Sequence, residues 1–239
     1  MSKANDRIIL HCDLNNFYAS VECLKDPSLK GPVAVCGDPK LRHGVVLAKN
    51  EEAKKFSIKT GDTVLEALRK CPDLTLVKTS FDDYERYSKI VFSIYERFTD
   101  RVEPFGSDEC WLDCTGSTSL FGDGETIANT IRQTVRDEVG LTVSVGVSFN
   151  KIFAKLGSDI KKPDATTIIS RQNFKDIVWP LPASSMLMVG RRTEAKLKKM
   201  GIYTIGNLAT ADEDFLRGVF GVNGVKMRRA AAGEDTEEI

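Results

Sequence analysis

The chain has 239 residues, which is enough to bury a substantial core and more than one average domain requires. Its 41% hydrophobic and 28% charged residues are typical of an ordinary globular protein, and its 34 basic and 34 acidic residues cancel. No apolar run is long enough to span a bilayer, and residues 1–7 lack the apolar centre of a signal peptide, so we expect a cytoplasmic protein without a membrane partner.

Hydrophobic periodicity predicts strands and helices in alternation along the chain. Up to residue 77 it predicts a buried strand at 7–13, a helix at 18–24, strands at 33–37 and 44–48, and helices at 50–56 and 63–71. Beyond that it predicts a long helix at 81–99, a hairpin at 101–105 and 109–114, a helix at 124–139, a strand at 141–147, a helix at 150–160, a strand at 165–169, and helical units at 184–200 and 204–231. This order indicates an α+β fold, with an antiparallel sheet that carries helices on one face.

Acidic residues occur at two places where a strand-like run begins or ends. Asp13 ends the first predicted strand, and Asp108 and Glu109 lie within the predicted hairpin. Carboxylates cannot be gathered at the edge of a core unless a cation offsets their repulsion and desolvation. The pattern therefore predicts a site for two Mg²⁺ ions, for which Mn²⁺ can substitute. The carboxylates and the backbone carbonyl of Leu14 are hard oxygen donors of the kind that these ions prefer.

Three segments of the chain carry recognisable motifs, namely Asp13 to Glu22, Ser107 to Asp113, and Val145 to Pro163. In this order and at these spacings they resemble the motifs of the Y-family, or lesion-bypass, DNA polymerases, and most closely those of the DNA polymerase IV branch. The resemblance runs through essentially the whole chain. It implies a palm at 1–18 and 78–166, small α/β fingers at 19–77, an all-helical thumb at 167–233, and at 234–239 the start of a linker to a little-finger domain that this chain lacks.

The resemblance also implies an activity and roles for individual residues. The activity would be template-directed addition of a nucleotide from a dNTP to a primer 3′-hydroxyl, with release of pyrophosphate. Asp13, Asp108 and Glu109 would be the catalytic metal ligands. Asn16, Phe17, Tyr18, Lys54 and Lys162 would bind the nucleotide, with Tyr18 as the steric gate against a 2′-hydroxyl. The implied partners are primer–template DNA, dNTP and, through the absent C-terminal region, a sliding clamp, with the protein itself a monomer.

The predicted fingers depart from the family pattern at two positions. Glu51 stands where many relatives have a tyrosine that grips the phosphates, and Lys54 stands where they have an arginine. A carboxylate repels phosphates, and lysine lacks the bidentate fork of arginine. We therefore expect weaker nucleotide binding than in a typical relative, unless Lys49, Lys54 or Arg42 makes a substitute contact.

Val45 and Leu47 stand where the fingers are expected to roof the nascent base pair. Small side chains at these positions leave room for bulky template lesions, whereas valine and leucine are branched and larger. The sequence therefore predicts a tighter roof and a narrower tolerance of lesions.

The C-terminal region differs in charge from the rest of the chain. Residues 183–232 contain nine basic and four acidic side chains, a local net charge of +5. Within it, residues 188–202 resemble a helix-hairpin-helix element, whose glycine turn and basic helix bind a DNA backbone without regard to sequence. The residues expected to make these contacts are Gly190, Arg191, Arg192 and Lys196.

Two other functions stay open at this point. One is another palm-type enzyme, such as a nucleotide cyclase, that uses the same metal chemistry without a template. The predicted helix-hairpin-helix and the Phe17-Tyr18 pair argue against it. The other is a non-catalytic DNA-binding module that retains the palm and thumb fold. Glu51 alone favours this alternative, whereas the intact carboxylates argue against it.

Overall fold

The computed structural model describes residues 6–38 and 44–239. Arg42, one of the three candidates for a substitute phosphate contact, lies outside these residues. In chain order the elements are β1 (Ile9–Leu14), α1 (Phe17–Lys25), β2 (Val33–Cys36), β3 (Val46–Lys49), α2 (Glu51–Lys54), α3 (Val64–Lys70), β4 (Thr75–Lys78), α4 (Phe81–Tyr95), β5 (Val102–Phe105), β6 (Glu109–Asp113), α5 (Thr118–Phe121), α6 (Gly124–Val139), β7 (Val143–Ser148), α7 (Lys151–Ile160), β8 (Thr166–Ile169), α8 (Phe174–Val178), α9 (Arg191–Lys199), α10 (Ile205–Thr210), α11 (Glu213–Phe220) and α12 (Val222–Ala231).

A five-stranded sheet in the order β5-β6-β1-β7-β8 forms the centre of the fold. The first four strands pair antiparallel, as the sequence predicts, but β8 runs parallel to β7. The parallel pair follows from the connection, because α7 lies between these two strands in the chain. A helical crossover returns the chain to the same end of the sheet, whereas a hairpin would reverse it.

Helices cover both faces of this sheet, not only one. The side chains of Leu10 and Cys12 point into the main hydrophobic core, to which the long helices α4 and α6 also contribute. On the opposite face α7 packs directly over β1 and β7. This close approach depends on Gly146, because a Cβ at that position would collide with the carbonyl oxygen of Ala154. A glycine within a strand often indicates that another backbone approaches closely at that position.

Within the segment between the two acidic clusters, the part from β2 to β4 forms a separate small unit. Its three strands are ordered β3-β2-β4, with β2 antiparallel to β3 and parallel to β4. Strand β4 was not predicted, because Thr75–Lys78 is too short to show a period. The unit has a buried cluster of its own, which includes Ala34, Val46, Ile58 and Leu74.

The C-terminal region is helical from α8 onward, and its helices are shorter than predicted. The predicted unit at 184–200 is an α-helix only over α9, and the unit at 204–231 is divided into α10, α11 and α12. Gly201, after α9, and Gly221, between α11 and α12, have φ angles of 76° and 63°. Glycine adopts this left-handed region at no steric cost, so the chain can turn there. Asp212 begins α11 by accepting a hydrogen bond from the amide of Phe215. Across the described ranges, none of the helices is both long enough and apolar enough to cross a membrane.

Candidate active site

The acidic cluster is assembled by the pairing of β1 with β6. Asp13 lies directly opposite Glu109 in the register, so the two side chains project from the same face of the sheet. Asp108 precedes β6, and its carbonyl oxygen accepts a hydrogen bond of 2.9 Å from the amide of Leu14. The structure thus brings together the three carboxylates that the sequence predicted as partners.

These carboxylates line a cavity of about 390 Å³ between the sheet and the small unit of β2, β3 and β4. Of the predicted site residues, the cavity wall contains Asp13, Leu14, Asn16, Phe17, Tyr18, Leu47, Asp108, Glu109 and Lys162; it also contains Ala48, Lys49 and Thr60. Lys54 and Val45 are not in this wall. Val45 is 42% exposed and forms an isolated β-bridge with Thr63.

The pKa values of the neighbouring acids Asp108 and Glu109 are shifted in opposite directions. Burial, and then the negative charges of Asp13 and Glu109, together raise the pKa of Asp108 to about 6. Burial acts in the same sense on Glu109, but contacts with His11 and Lys155 outweigh it and lower the pKa of Glu109 to about 2. The site therefore concentrates negative charge that the protein only partly compensates.

Two lysines supply this partial compensation. The ammonium of Lys155 contacts Oε2 of Glu109 and lies 3.6 Å from Oδ2 of Asp13. Lys162 donates a 2.6 Å hydrogen bond to the same Asp13 oxygen and forms a 2.8 Å ion pair with Asp159. The sequence analysis assigned Lys162 to the triphosphate, and here it contacts a predicted metal ligand. Lys155 was not singled out, although its position four residues before Asp159 on the amphipathic helix α7 was a usable signal.

The donor set suits a hard divalent cation. Carboxylate oxygens are the preferred ligands of Mg²⁺, and Oε2 of Glu109 is buried with the ammonium of Lys155 as its charged partner. His11 Nε2 is 3.2 Å from this oxygen but does not complete a hydrogen bond with it. Over residues 6–38 and 44–239, no three Asp, Glu, His or Cys side chains converge closely enough to hold a metal as they stand. Lys155 lies against two of the carboxylates, so cation binding requires it to move aside.

An aromatic stack positions Tyr18. Its ring lies 4.1 Å from the ring of Tyr84, centroid to centroid, at an interplanar angle of 10°. Its hydroxyl is 3.3 Å from the hydroxyl of Ser107, next to the acidic cluster. Phe17 also lines the cavity, but it is only 3% exposed and its side chain belongs to the main core. Tyr18 therefore presents a fixed ring to the cavity, as a steric gate requires.

Tyr84, on α4, packs against Tyr18 and was not among the predicted site residues. It is 1% exposed, and its hydroxyl donates a 2.7 Å hydrogen bond to Glu22. Burial first, and then the hydrogen bond to Glu22, raise the pKa of Tyr84 above its usual value, so the hydroxyl stays protonated. The aromatic stripe of α4 was visible in the sequence, but its contact with Tyr18 depends on the tertiary packing.

Glu51 is held by two short contacts at the entrance of the site. Its Oε1 accepts hydrogen bonds of 2.7 Å from Asn16 and 2.6 Å from Lys54. Asn16 has a φ of 52°, a left-handed conformation that asparagine tolerates better than most residues. Glu51 therefore connects the small unit to the start of α1, and its partner Lys54 is directed at a carboxylate.

In the helical C-terminal region, α9 begins at Gly190 without a side-chain cap. Arg191, Arg192 and Lys196 are exposed on this helix, and none forms an ion pair with another described residue. Gly190 has a φ of −75°, so it is extended and is not a left-handed turn residue. Free amides at a helix start and unpaired basic side chains are features of a phosphate-binding surface.

Comparison with known proteins agrees with this geometry. Residues 12–159 match the impB/mucB/samB family model. The chain is 56% identical over 234 residues to DNA polymerase IV of Acetivibrio thermocellus and 43% identical over 228 residues to DNA polymerase IV 1 of Bacillus subtilis strain 168. These alignments include 98% and 95% of this chain, but only 59% and 55% of the relatives. The chain thus spans a little over half the length of these curated relatives.

A solved structure of a Y-family DNA polymerase chimera of Dbh and Dpo4 is also similar. It superposes with a TM-score of 0.90 at 26% identity, and the match includes 97% of this chain and 69% of that chain. The similarity therefore extends over the sheet, the small unit and the helical region together. The chain belongs to the impB/mucB/samB family and is a relative of the Y-family DNA polymerases.

Proposed function

We propose that this chain is the catalytic part of a translesion DNA polymerase. It transfers a nucleotide from a dNTP to a primer 3′-hydroxyl, directed by a template, and releases pyrophosphate. The observation that carries the proposal is the convergence of Asp13, Asp108 and Glu109 on one cavity in a chain whose relatives are named DNA polymerase IV. Phosphoryl transfer needs positioning and charge stabilisation more than covalent chemistry, and this cavity offers both.

The proposed cofactor is Mg²⁺ as two ions, with Mn²⁺ as a substitute. Asp13, Asp108, Glu109 and the carbonyl of Leu14 would hold these ions. When bound, the ions would neutralise phosphate charge and lower the pKa of the primer hydroxyl. The protein itself contributes oxygen donors on two paired strands and a rigid sheet beneath them.

The other proposed nucleotide contacts come from residues around the same cavity. Tyr18, held by Tyr84, would lie under the sugar and exclude a ribonucleotide by its bulk. Lys162, released from Asp13 when a metal binds, would be free to bind a phosphate. Asn16 and Phe17 would shape the cavity through the start of α1.

Leu47 and Val45 have different places in the proposed roof over the base pair. Leu47 lies in the cavity wall, and Val45 lies outside it at the edge of β3. We propose that Leu47 limits the size of the template base that fits, so bulky minor-groove adducts are extended more slowly than undamaged template. Extension past such an adduct at the undamaged rate would contradict this.

The proposed DNA contact of the helical region is a helix-hairpin-helix at Gly190, Arg191, Arg192 and Lys196. It is supported by the exposure of these side chains and by the local charge of +5. A backbone contact of this kind would be independent of sequence, and each phosphate contact contributes about 0.9 to the salt slope. DNA and dNTP would be the partners of a monomer in the cytoplasm, and a sliding clamp would bind outside this chain.

Primer extension tests the proposal. A short primer–template is incubated at low salt with excess protein, Mg²⁺ and each dNTP separately, in parallel with Asp108→Ala/Glu109→Ala. Templated addition that is lost in the double variant would establish both the polymerase and its acids. DNA binding without addition would instead support the non-catalytic module.

A further inference from the structure

The cavity wall on the side of the small unit contains one cation that the family resemblance did not assign. Lys49 ends β3, and its half-buried side chain lines the cavity together with Thr60. Its ammonium donates a 3.3 Å hydrogen bond to the hydroxyl of Thr60, which in turn donates to the carbonyl of Leu47. This chain of contacts holds the ammonium against the wall of the cavity.

Lys49 differs from the other basic residues around the site because it lacks a carboxylate partner among the described residues. Lys155 and Lys162 pair with the acidic cluster, and Lys54 pairs with Glu51 at 2.6 Å. Burial, and then the positive charge of Lys54, lower the pKa of Lys49. Asp62 and Glu51 act on this pKa in the opposite sense, but neither carboxylate is within ion-pair distance of the ammonium. A half-buried ammonium without an ion-pair partner attracts a phosphate.

Glu51 keeps Lys54 away from this position. Its carboxylate holds the Lys54 ammonium on one side and the amide of Asn16 on the other. The consequence is that one of the two residues expected to grip phosphates is acidic and the other is already paired. A phosphate that approached Lys54 would have to compete with a carboxylate 2.6 Å away.

We propose that Lys49, seated by Thr60, is the one among the described residues of the small unit that binds the β- and γ-phosphates of the incoming nucleotide. Lys54 would have to leave Glu51 to take that role. The inference rests on the proposed polymerase function, because it assumes that the cavity accepts a dNTP. The sequence leaves three candidates for a substitute phosphate contact, namely Lys49, Lys54 and Arg42, and Lys49 is the one chosen here. An ammonium acts as a point charge, so it can bind a phosphate without the fixed geometry that arginine requires.

Equilibrium nucleotide binding tests this assignment without turnover. The chain is saturated with primer–template in Ca²⁺, and the Kd values of dNTP and of the corresponding deoxynucleoside monophosphate are measured. The variants are Lys49→Met, Lys49→Arg, Lys54→Met, and Lys55→Met as an exposed neighbour. We expect Lys49→Met to weaken dNTP binding at least about 10-fold, equivalent to about 1.4 kcal/mol. Monophosphate binding should stay within about 2-fold, and Lys49→Arg should restore most of the loss because it keeps the positive charge.

Three results would overturn the assignment. The first is a loss with Lys54→Met that equals or exceeds the loss with Lys49→Met. The second is an equal loss of dNTP and monophosphate binding, which would indicate a distorted cavity. The third is a wild-type Kd that is the same for dNTP and for the deoxynucleoside monophosphate. Primer extension by the wild type is scored separately. If the wild type does not extend the primer but Lys49→Met still weakens dNTP binding, the polymerase function is rejected and the triphosphate contact is retained.

Discussion

Asp13 and Glu109 face each other across β1 and β6, and the ammonium of Lys155 contacts Glu109 and lies 3.6 Å from Asp13. The lysine thus stands beside two of the three proposed metal ligands. Replacing an ammonium with a divalent cation increases the positive charge at the site without changing its oxygen donors. Metal binding and the position of Lys155 are therefore coupled.

Lys155→Met should make the stability of the chain more dependent on Mg²⁺. Without metal, the variant leaves Glu109 without an ammonium partner and Asp13 with Lys162 alone, so we expect a loss of about 1–3 kcal/mol in the free energy of unfolding. Mg²⁺ should recover most of this loss and should bind more tightly than in the wild type. Denaturant titrations in EDTA and in Mg²⁺ measure both effects. Lys161→Met, an exposed neighbour, should show no change, and an unchanged Mg²⁺ dependence in Lys155→Met would contradict the coupling.

Asp108→Asn should stabilise the chain in EDTA while abolishing templated addition. The substitution removes one of three carboxylates from a partly buried site and so relieves repulsion that only a metal otherwise offsets. We expect a gain of about 1 kcal/mol, the size typical of relieving a strained functional site. Thermal or denaturant unfolding measures it, with Asp82→Asn as an exposed control. Destabilisation by Asp108→Asn would show that the carboxylate has a structural role.

Tyr18→Ala should weaken discrimination against ribonucleotides. The ring is held by the stack on Tyr84, so its removal opens space beside the proposed sugar position. We expect the ratio of kcat/KM for dNTP to that for rNTP to fall at least about 10-fold, corresponding to a steric contact of about 1–3 kcal/mol. Single-nucleotide insertion kinetics provide both values. Tyr18→Phe keeps the ring and should retain most of the discrimination, and equal losses in the two variants would point to the hydroxyl instead.

Asp113 should contribute to stability in a pH-dependent way, away from the site. Burial acts to raise its pKa, but hydrogen bonds from Thr115 and the charge of Arg7 outweigh this and lower it. A carboxyl with a lowered folded pKa stabilises the fold above its unfolded pKa of about 3.9, and this contribution is lost as the pH falls toward the folded value.

Asp113→Asn should therefore lower the free energy of unfolding by about 1–3 kcal/mol at pH 7, because Arg7, Arg101 and the backbone amide of Thr115 lose an ionised acceptor. The difference from wild type should shrink as the pH falls below about 4. Urea titrations from pH 7 to pH 3 follow this difference. Asp137→Asn, on the exposed face of α6, is the matched control and should show little effect at any pH. A difference that is constant with pH would assign the effect to packing.

Local pattern was sufficient for most helices and strands around the central sheet, but not for the short helix α5. The apolar run before Asp13 and the aromatic stripe of α4 correspond to β1 and to a core helix, with ends shifted by a few residues. These elements are determined by neighbours close in sequence. Strand β4 was missed because it is short and pairs in parallel with β2, a contact that no local period reports.

The sequence by itself determined the family, and it predicted the acidic site residues and the gate tyrosine, because each depends on residue type at a given spacing. Tertiary structure alone decided which charges meet. The pairing of Lys54 with Glu51 joins neighbours on one short helix, but the contact of Lys155 with Glu109 joins residues 46 positions apart. Lys49 lacks a carboxylate partner among the described residues because the nearby carboxylates are paired with other lysines in the fold. Electrostatic partners are selected by distance in the fold, and a sequence lists the charges without their distances.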